Sequence, residues 1–274
     1  MTVPEFVPYC GNPPVPGNLH WNLDPPLILF FLAVAAIYIV GLRDPHAPGR
    51  REQLLFGSGL IIAAAALLSP LCNLSVALFS ARVTQHMVLT LIAAPMLILG
   101  RVELVVPGLV RRLQRLRSPL SNDVALWFGG VAYAVALWSW HLPGPYDATL
   151  QNNAVYWAMH ITTIGAALVL WKGLLGSGRA SIGTAMLVGF CTAMQMSLLG
   201  AVLTLANRSL FIVHQGTTWP WGLSPLDDQQ LGGLVMWVPA GLLFTIYALV
   251  AFGLWLHRYG SEDRASPMHN VNTP

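Results

Sequence analysis

Apolar residues run through this chain in long, uninterrupted stretches. Seven stretches contain no Asp, Glu, Lys or Arg and are rich in Leu, Ala, Val and Ile; they cover residues 25–42, 53–81, 83–100, 124–146, 148–171, 180–207 and 229–257. A membrane-spanning helix needs about 20 mostly apolar residues, whereas a transmembrane barrel shows short segments of alternating hydrophobicity. The pattern predicts an all-α polytopic membrane protein, a bundle of seven transmembrane helices.

Two further charge-free stretches do not fit a membrane helix. Residues 6–23 contain four prolines and few aliphatic side chains, and residues 209–226 are rich in Trp, Pro and Gly. Both compositions are typical of loops. The amino terminus lacks the basic start of a cleavable signal peptide, so we expect the first helix to stay in the mature protein. We therefore divide the chain into an outer amino segment (1–26), a transmembrane domain (27–257) and a cytoplasmic tail (258–274).

Composition excludes the main soluble classes. Of the 274 residues, 55% are hydrophobic and only 9% are charged, whereas about a quarter of an ordinary soluble chain is charged. A disordered chain would need low hydrophobicity and high charge. Three cysteines are an odd number and do not indicate a disulfide scaffold.

The placement of Lys and Arg indicates the orientation. If the amino end lies outside and the carboxyl end lies in the cytoplasm, twelve of the fourteen basic residues fall on inner segments, and only Arg82 and Arg208 fall outside. Cytoplasmic loops carry this excess. The net charge of +3 is therefore interpreted as an insertion signal and a contact with anionic membrane lipid, and no nucleic-acid partner is expected.

Histidines gather at the outer end of three consecutive stretches. His86 lies near the outer start of the third and His141 at the outer end of the fourth. His160 lies about seven residues into the fifth, roughly 10 Å below the surface at 1.5 Å per residue. Ionisable groups at membrane depth are candidates for function, so we expect at least two of these rings to share a site.

Sulfur-containing residues occur at the same end. Imidazole, thioether and thiol together suit copper, whereas magnesium and calcium favour carboxylates. We therefore predict a copper site on His86, His141 and His160. Tyr156 and Asp147 are placed to orient His160 and His141 respectively. Further candidate ligands are Met87, Met159, Met236, Cys10, His20 and His214.

Each candidate also has a simpler interpretation. A histidine near a helix end commonly bonds a carbonyl or water, and a methionine commonly fills a gap in a core. Cys10 can be a free thiol. Asp147 and Asp227 can cap helices, and Gly232–Gly233 is interpreted as close helix packing.

Several motifs resemble the CtaG family of multi-span cytochrome c oxidase (caa-type) assembly factors. The chain is similar to that family over nearly its whole length, and the segment from Asp228 to Gly233 is the most specific. The matching segments are Tyr9–Gly11, Trp21–Pro25, Thr84–Met87 leading to Ala94–Pro95, Trp140–Pro143 with Tyr146–Asp147, the stretch around His160 that ends at Leu170–Trp171, Asp228–Gly233 and Met236–Pro239.

The resemblance implies a non-enzymatic protein of the bacterial plasma membrane that is needed to make an active haem–copper oxidase, with oxidase subunits as partners. It singles out His86, His141, His160 and the Asp228–Gln229–Gln230 segment. Many members carry another histidine four residues before His86, where this chain has Arg82.

The leading hypothesis is an assembly factor that assists copper delivery to, or maturation of, the oxidase active site through an outer-facing His/Met site. One alternative is a membrane haem protein with His86 and His160 or His141 as axial ligands. Another is a copper transporter, which would need polar groups continuing across the midplane; Gln195 is the main one. A scaffold that binds no metal is the remaining alternative.

Overall fold

A computed structural model describes residues 6–43, 47–105, 121–175 and 180–265. These residues contain helices and loops but no strand. We number the α-helices in chain order: α1 Pro25–Gly41, α2 Arg50–Leu68, α3 Pro70–Ala77, α4 Phe79–Met87, α5 Ala94–Leu99, α6 Asn122–Trp140, α7 Pro143–Gln151, α8 Asn153–Leu175, α9 Ile182–Thr204 and α10 Pro225–Ala265. A π-helix, Val88–Ala93, joins α4 to α5, and short 3-10 helices cover Val102–Val105, Ile212–His214 and Trp219–Trp221.

Within the described part of the chain, five helical segments are long and apolar enough to cross a membrane. They are Arg50–Leu68, Phe79–Leu99, Asn153–Leu175, Ile182–Thr204 and Pro225–Val250. The other two predicted spans are helical as well, but α1 is a shorter apolar helix of 17 residues and α6 is not among the five. The all-helical membrane class is confirmed, while the count of seven spans and the orientation stay predictions.

Prolines divide two of the predicted stretches. The stretch 53–81 is wrong as a single helix, because Ser69 is extended (ψ 171°) and Pro70 begins α3. A residue before proline is disfavoured in the helical region, so α2 ends at Leu68. Likewise Leu142 is extended and Pro143 begins the short helix α7, which separates α6 from α8.

Helix α4 begins earlier than its stretch suggested. The sequence placed His86 at the start of a helix, but α4 begins at Phe79, so His86 lies about two turns inside. The π-helix follows directly and ends one residue before α5, in which Pro95 is an early residue. Proline supplies no N–H to the preceding turn, and a π turn is one way for a helix to absorb that loss.

The bundle has two ends. The starts of α4, α8 and α10 and the ends of α2, α6 and α9 form what we call the histidine end. Contacts there include a hydrogen bond from the His214 Nδ1 to the Ala77 carbonyl, at 3.2 Å. At the opposite end, the Tyr38 hydroxyl donates to the Gly100 carbonyl at 2.8 Å, and Lys172 Nζ lies 3.4 Å from Glu103 Oε1.

Two predictions fall partly outside the described residues. Among the basic residues used for orientation, Arg111, Arg112, Arg115, Arg117 and Arg179 lie there. The tail was predicted from residue 258, but α10 continues to Ala265; the remainder, 266–274, lies outside the described residues.

Glycines let α10 approach its neighbours, as the sequence predicted for Gly232–Gly233. A Cβ at Gly200 would lie 2.8 Å from the Trp237 Cβ and 2.9 Å from the Gly233 carbonyl oxygen, so α9 and α10 meet backbone to backbone. A Cβ at Gly232 would overlap the ring of Phe79. That ring stacks on Phe211 at 4.5 Å and has little room to move.

Replacing Gly232 by Ala should therefore destabilise the protein. Overpacking of this kind costs about 1–3 kcal/mol, which we expect as a lower melting temperature of the detergent-solubilised protein. Gly165→Ala is the matched control, because Gly165 lies on α8 with nothing within 4 Å of an added Cβ. Equal melting temperatures for the two variants would contradict the packing described here.

Candidate functional site

His86 and His160 face each other at the histidine end. His86 is on α4 and His160 is on α8, and their ring centroids lie 5.3 Å apart with an interplanar angle of 78°. Both are buried, with 6% and 2% of their surface exposed. The two helices thus bring together two of the three predicted rings, and their direct contact leaves no room for a porphyrin between them.

Some ring nitrogens of this pair form hydrogen bonds and others do not. His160 Nδ1 donates to the Tyr156 carbonyl, one turn earlier, at 3.1 Å. The Nε2 atoms of His86 and His160 are both buried and have no hydrogen-bond partner. A buried polar atom without a partner is costly, and a neutral ring that donates through Nδ1 carries its lone pair on Nε2. His160, whose Nδ1 is anchored to the backbone, thus has the arrangement that is typical of a metal-binding imidazole.

His141 does not join the pair. It caps the end of α6, as predicted, and its Nδ1 donates to the Leu137 carbonyl at 2.7 Å. Its ring packs edge-on against Phe79, with centroids 6.2 Å apart. Across residues 6–43, 47–105, 121–175 and 180–265, no group of three His, Cys, Asp or Glu side chains is placed to hold a metal ion.

Arg82 lies one turn before His86 and is buried, with 1% of its surface exposed. Its guanidinium carbon lies 5.4 Å from the Tyr146 ring centroid and 5.6 Å from that of Tyr156. Nη2 donates to the Thr149 hydroxyl at 2.8 Å. Nε and Nη1 have no hydrogen-bond partner. A cation therefore lies beside the imidazole pair, at the position where the resemblance led us to expect a further histidine in many family members.

Cys10 is not a free thiol in this structure. It forms a disulfide with Cys72 of α3, whereas Cys191 is free and exposed. A disulfide sulfur carries no thiolate charge to offer a metal, so Cys10 as a thiol ligand is corrected. The sequence did not predict this disulfide, because an odd number of cysteines gave no indication that two of them are paired. The usable signal was that the predicted topology puts Cys10 and Cys72 at the same end of the bundle.

The other two candidate histidines have different surroundings. His214 is buried, and both ring nitrogens are engaged: Nδ1 donates to the Ala77 carbonyl, and Nε2 accepts from the Tyr146 hydroxyl at 2.7 Å. His20 is exposed and lines a cavity of about 440 Å³ formed mainly by the amino segment. Neither ring contacts His86 or His160.

Tyr156 and Asp147 were predicted to orient His160 and His141. Tyr156 does so by a different contact, and Asp147 does not. Tyr156 does hold His160, but through its backbone carbonyl rather than its hydroxyl. Asp147 does not serve His141; its carboxylate accepts backbone N–H groups of Ile212 and Val213, and burial raises its pKa. The loop 209–226 thus engages the carboxylate.

Asp228 and Gln229 hold the scaffold of the site. The Asp228 carboxylate accepts the backbone N–H groups of Phe79 and Ser80, at 2.6 and 3.1 Å, and the Ser80 hydroxyl at 2.5 Å. It thus caps α4, whose own cap residue Leu78 has no side-chain acceptor. Gln229 accepts from the Leu210 N–H at 2.7 Å and donates to the Leu203 carbonyl at 3.2 Å.

Asp227 has the local capping role that the sequence allowed. Its carboxylate accepts from the N–H and hydroxyl of Ser224, and the Ser224 hydroxyl accepts from the Asp227 N–H in return, which is a reciprocal capping arrangement. The candidate methionines Met87, Met159 and Met236 all belong to the main apolar core, where methionine commonly fills gaps.

A comparison with protein families finds one match that covers most of the chain. Residues 28–258 match the family described as cytochrome c oxidase caa3 assembly factor (Caa3_CtaG). The chain belongs to this family. No curated protein and no solved structure matches it. Family membership therefore assigns the chain to cytochrome c oxidase assembly, and the contacts above describe what this member offers to that process.

His214 makes a testable contribution to pH dependence. Burial, and then the charge of Arg82, lower its pKa to about 3, opposed by the hydrogen bond to Ala77. The folded protein keeps this ring neutral, whereas the unfolded chain protonates it below about pH 6.5. Stability should therefore fall as the pH drops below that value, by about 1 kcal/mol from this group between pH 7 and 5.5.

The measurement is the melting temperature between pH 7.5 and 5 in detergent. His214→Gln, which can still donate and accept hydrogen bonds, should flatten the profile, while the exposed-ring control His20→Gln should leave it as in the parent. Identical profiles for the parent and His214→Gln would contradict the prediction.

Proposed function

We propose that this assembly factor assists copper delivery to, or maturation of, the active site of a haem–copper oxidase, and that His86 and His160 hold the copper transiently as cargo. The carrying observation is that the two rings are in contact and that the Nε2 atom of each is buried without a hydrogen-bond partner. The oxidase subunits are the intended acceptor, and the bacterial plasma membrane is the proposed location.

The donor set supports copper over other metals. Two neutral imidazoles suit copper or zinc, and no carboxylate of the described chain joins them in a ligand group. A site with only two protein ligands leaves coordination positions open, which transfer to another protein requires. The methionines of the predicted His/Met site remain proposed softer contacts during that transfer.

Arg82 favours a monovalent ion. Its buried guanidinium lies one turn from His86 on α4, and repulsion between charges in a weakly polar interior scales with the charge of the ion. A divalent ion would therefore be penalised about twice as strongly as Cu(I). We propose Cu(I) as the cargo and expect modest affinity, which suits a protein that must release its metal.

The location of the pair also fits the task. His86 and His160 each lie seven residues from the start of their helices at the histidine end, which corresponds to roughly 10 Å along a helix. The copper of a haem–copper oxidase lies within its membrane-spanning subunit, so a donor must present the metal below the membrane surface. We propose that the histidine end is the outer end.

Cu(I) binding tests the pair directly. Purified protein would be titrated in detergent against a chromophoric Cu(I) chelator under anaerobic conditions. We expect His86→Asn and His160→Asn each to weaken binding by at least about tenfold, since each removes one of two ligands. His214→Gln is the matched control, because both nitrogens of that buried ring are already hydrogen-bonded. His141→Asn should bind as the parent if the pair suffices.

Oxidase assembly is the second readout of the same variants. Cells that lack the native gene and express the His86→Asn/His160→Asn protein should show little oxidase activity at unchanged protein level, and added copper should partly restore activity in the single variants. Normal oxidase activity with both histidines replaced would exclude copper transfer by this pair. Together with copper-free purified protein, it would identify a scaffold instead.

A further inference from the structure

Tyr156 connects the Cys10–Cys72 disulfide to the histidine pair. The Tyr156 hydroxyl is 3.4 Å from the Cys10 Sγ and 3.7 Å from the Cys72 Sγ. The ring of the same tyrosine lies 4.3 Å from the His160 ring. Disulfide, tyrosine and imidazole therefore form one continuous series of contacts from the amino segment to the candidate copper site.

The disulfide also fastens the amino segment as a cover. Tyr9 stacks on Tyr156 at 4.9 Å and meets Trp157 edge-on at 5.0 Å. The Asn73 side chain donates to the carbonyls of Cys10 and Asn12, each at 3.0 Å. Apart from the disulfide these are individually modest contacts, so the covalent bond is the strongest attachment of this cover.

The two sulfurs are not equivalent. Cys10 lines the cavity of about 440 Å³ in the amino segment, whereas Cys72 is fully buried. The Asn22 amide donates to the Cys72 Sγ at 3.6 Å, whereas the Tyr156 hydroxyl lies within donating distance of both sulfurs and nearer to that of Cys10. Asn22 would therefore stabilise negative charge on Cys72 alone, which makes Cys72 the better leaving group in exchange.

From this geometry we infer that the Cys10–Cys72 disulfide is a thiol–disulfide exchange site, reduced by an external dithiol, and that its reduction uncovers the His86–His160 pair. The effect on copper loading rests on the proposed copper function, whereas the thiol–disulfide exchange itself does not. It adds a redox requirement: copper reaches the imidazoles once the cover has been released.

The exchange proceeds in two balanced steps. A thiolate of the dithiol attacks the Cys10 Sγ, a new S–S bond forms, and the Cys10–Cys72 bond breaks with Cys72 leaving as a thiolate held by Asn22 and Tyr156. The second thiol of the reductant then displaces Cys10 from the mixed disulfide. The reductant is oxidised to its disulfide, and its two protons end on Cys10 and Cys72.

Thiol labelling tests the chemistry without copper. In a Cys191→Ser background, native protein treated with dithiothreitol should take up two maleimide groups, and untreated protein none. Asn22→Ala and Tyr156→Phe should each slow native reduction by about threefold or more, since each removes a donor to the leaving sulfur. Asn18→Ala is the control, because Asn18 lines the same cavity without bonding a sulfur.

The asymmetry gives a second check. With Cys191 replaced, oxidised protein treated briefly with a monothiol should form the mixed disulfide on Cys10 at least about tenfold more often than on Cys72, following access. A disulfide that dithiothreitol reduces only after denaturation, or mixed disulfides divided equally between the two cysteines, would overturn the inference.

The gating consequence has its own measurement. Cu(I) loading should be faster in reduced than in oxidised Cys191→Ser protein, and as fast in a Cys10→Ser/Cys72→Ser/Cys191→Ser protein, which lacks both the disulfide and any cysteine ligand. Slow loading of that variant would refute the gate. If His86→Asn and His160→Asn load copper like the parent, the proposed function fails, while the labelling results still decide the exchange chemistry.

Discussion

One buried carboxylate determines where the site residues lie. Asp228, at the start of α10, accepts two backbone N–H groups and a hydroxyl at the start of α4. A helix start exposes N–H groups that need acceptors, and an anion there is stabilised by the helix dipole. Because Arg82 and His86 follow on the same helix, this cap fixes the position of both relative to α8. The role of Asp228 in this structure is therefore architectural.

The polar groups around the pair are held at a cost to stability. Arg82 leaves two nitrogens without partners, and His86 and His160 leave one each. Buried groups of this kind destabilise a fold unless something satisfies them. Other buried atoms at this end, such as Gln85 Oε1 and Thr218 Oγ1, also lack a partner, but the four nitrogens belong to His86, to the His160 ring that contacts it and to Arg82 one turn earlier. Such a local concentration of unsatisfied groups is typical of sites that bind a ligand, which is why the pair, rather than the methionines, carries the proposal.

The sequence predicted the helices well because long apolar stretches leave few alternatives in a membrane. It located His141 at a helix end and His160 two turns inside its helix, since both depend only on counting along one chain segment. It misplaced the start of α4, because nothing in the residues near Phe79 signals a helix start; the cap comes from Asp228, about 150 residues away. Local patterns cannot report such a partner.

Contacts between residues on different helices could not be predicted from the sequence either. The sequence placed three histidine rings at one end of the bundle, but it could not show that only His86 and His160 contact each other. That depends on how α6, which carries His141, is rotated relative to α4 and α8. The Cys10–Cys72 bond depends on the path of an irregular amino segment, which no periodicity describes. Polar residues of the Asp228–Gln229 motif were identified through resemblance, and their contacts needed coordinates.

The π-helix at Val88–Ala93 also divides the third apolar stretch into two phases. A turn that holds an additional residue rotates everything before it by about 100° relative to everything after it. A hydrophobic face followed along α5 therefore does not continue onto the face of α4 that carries His86. Shortening this turn by one residue would bring the two halves into a common phase and swing the imidazole away from its neighbour on α8.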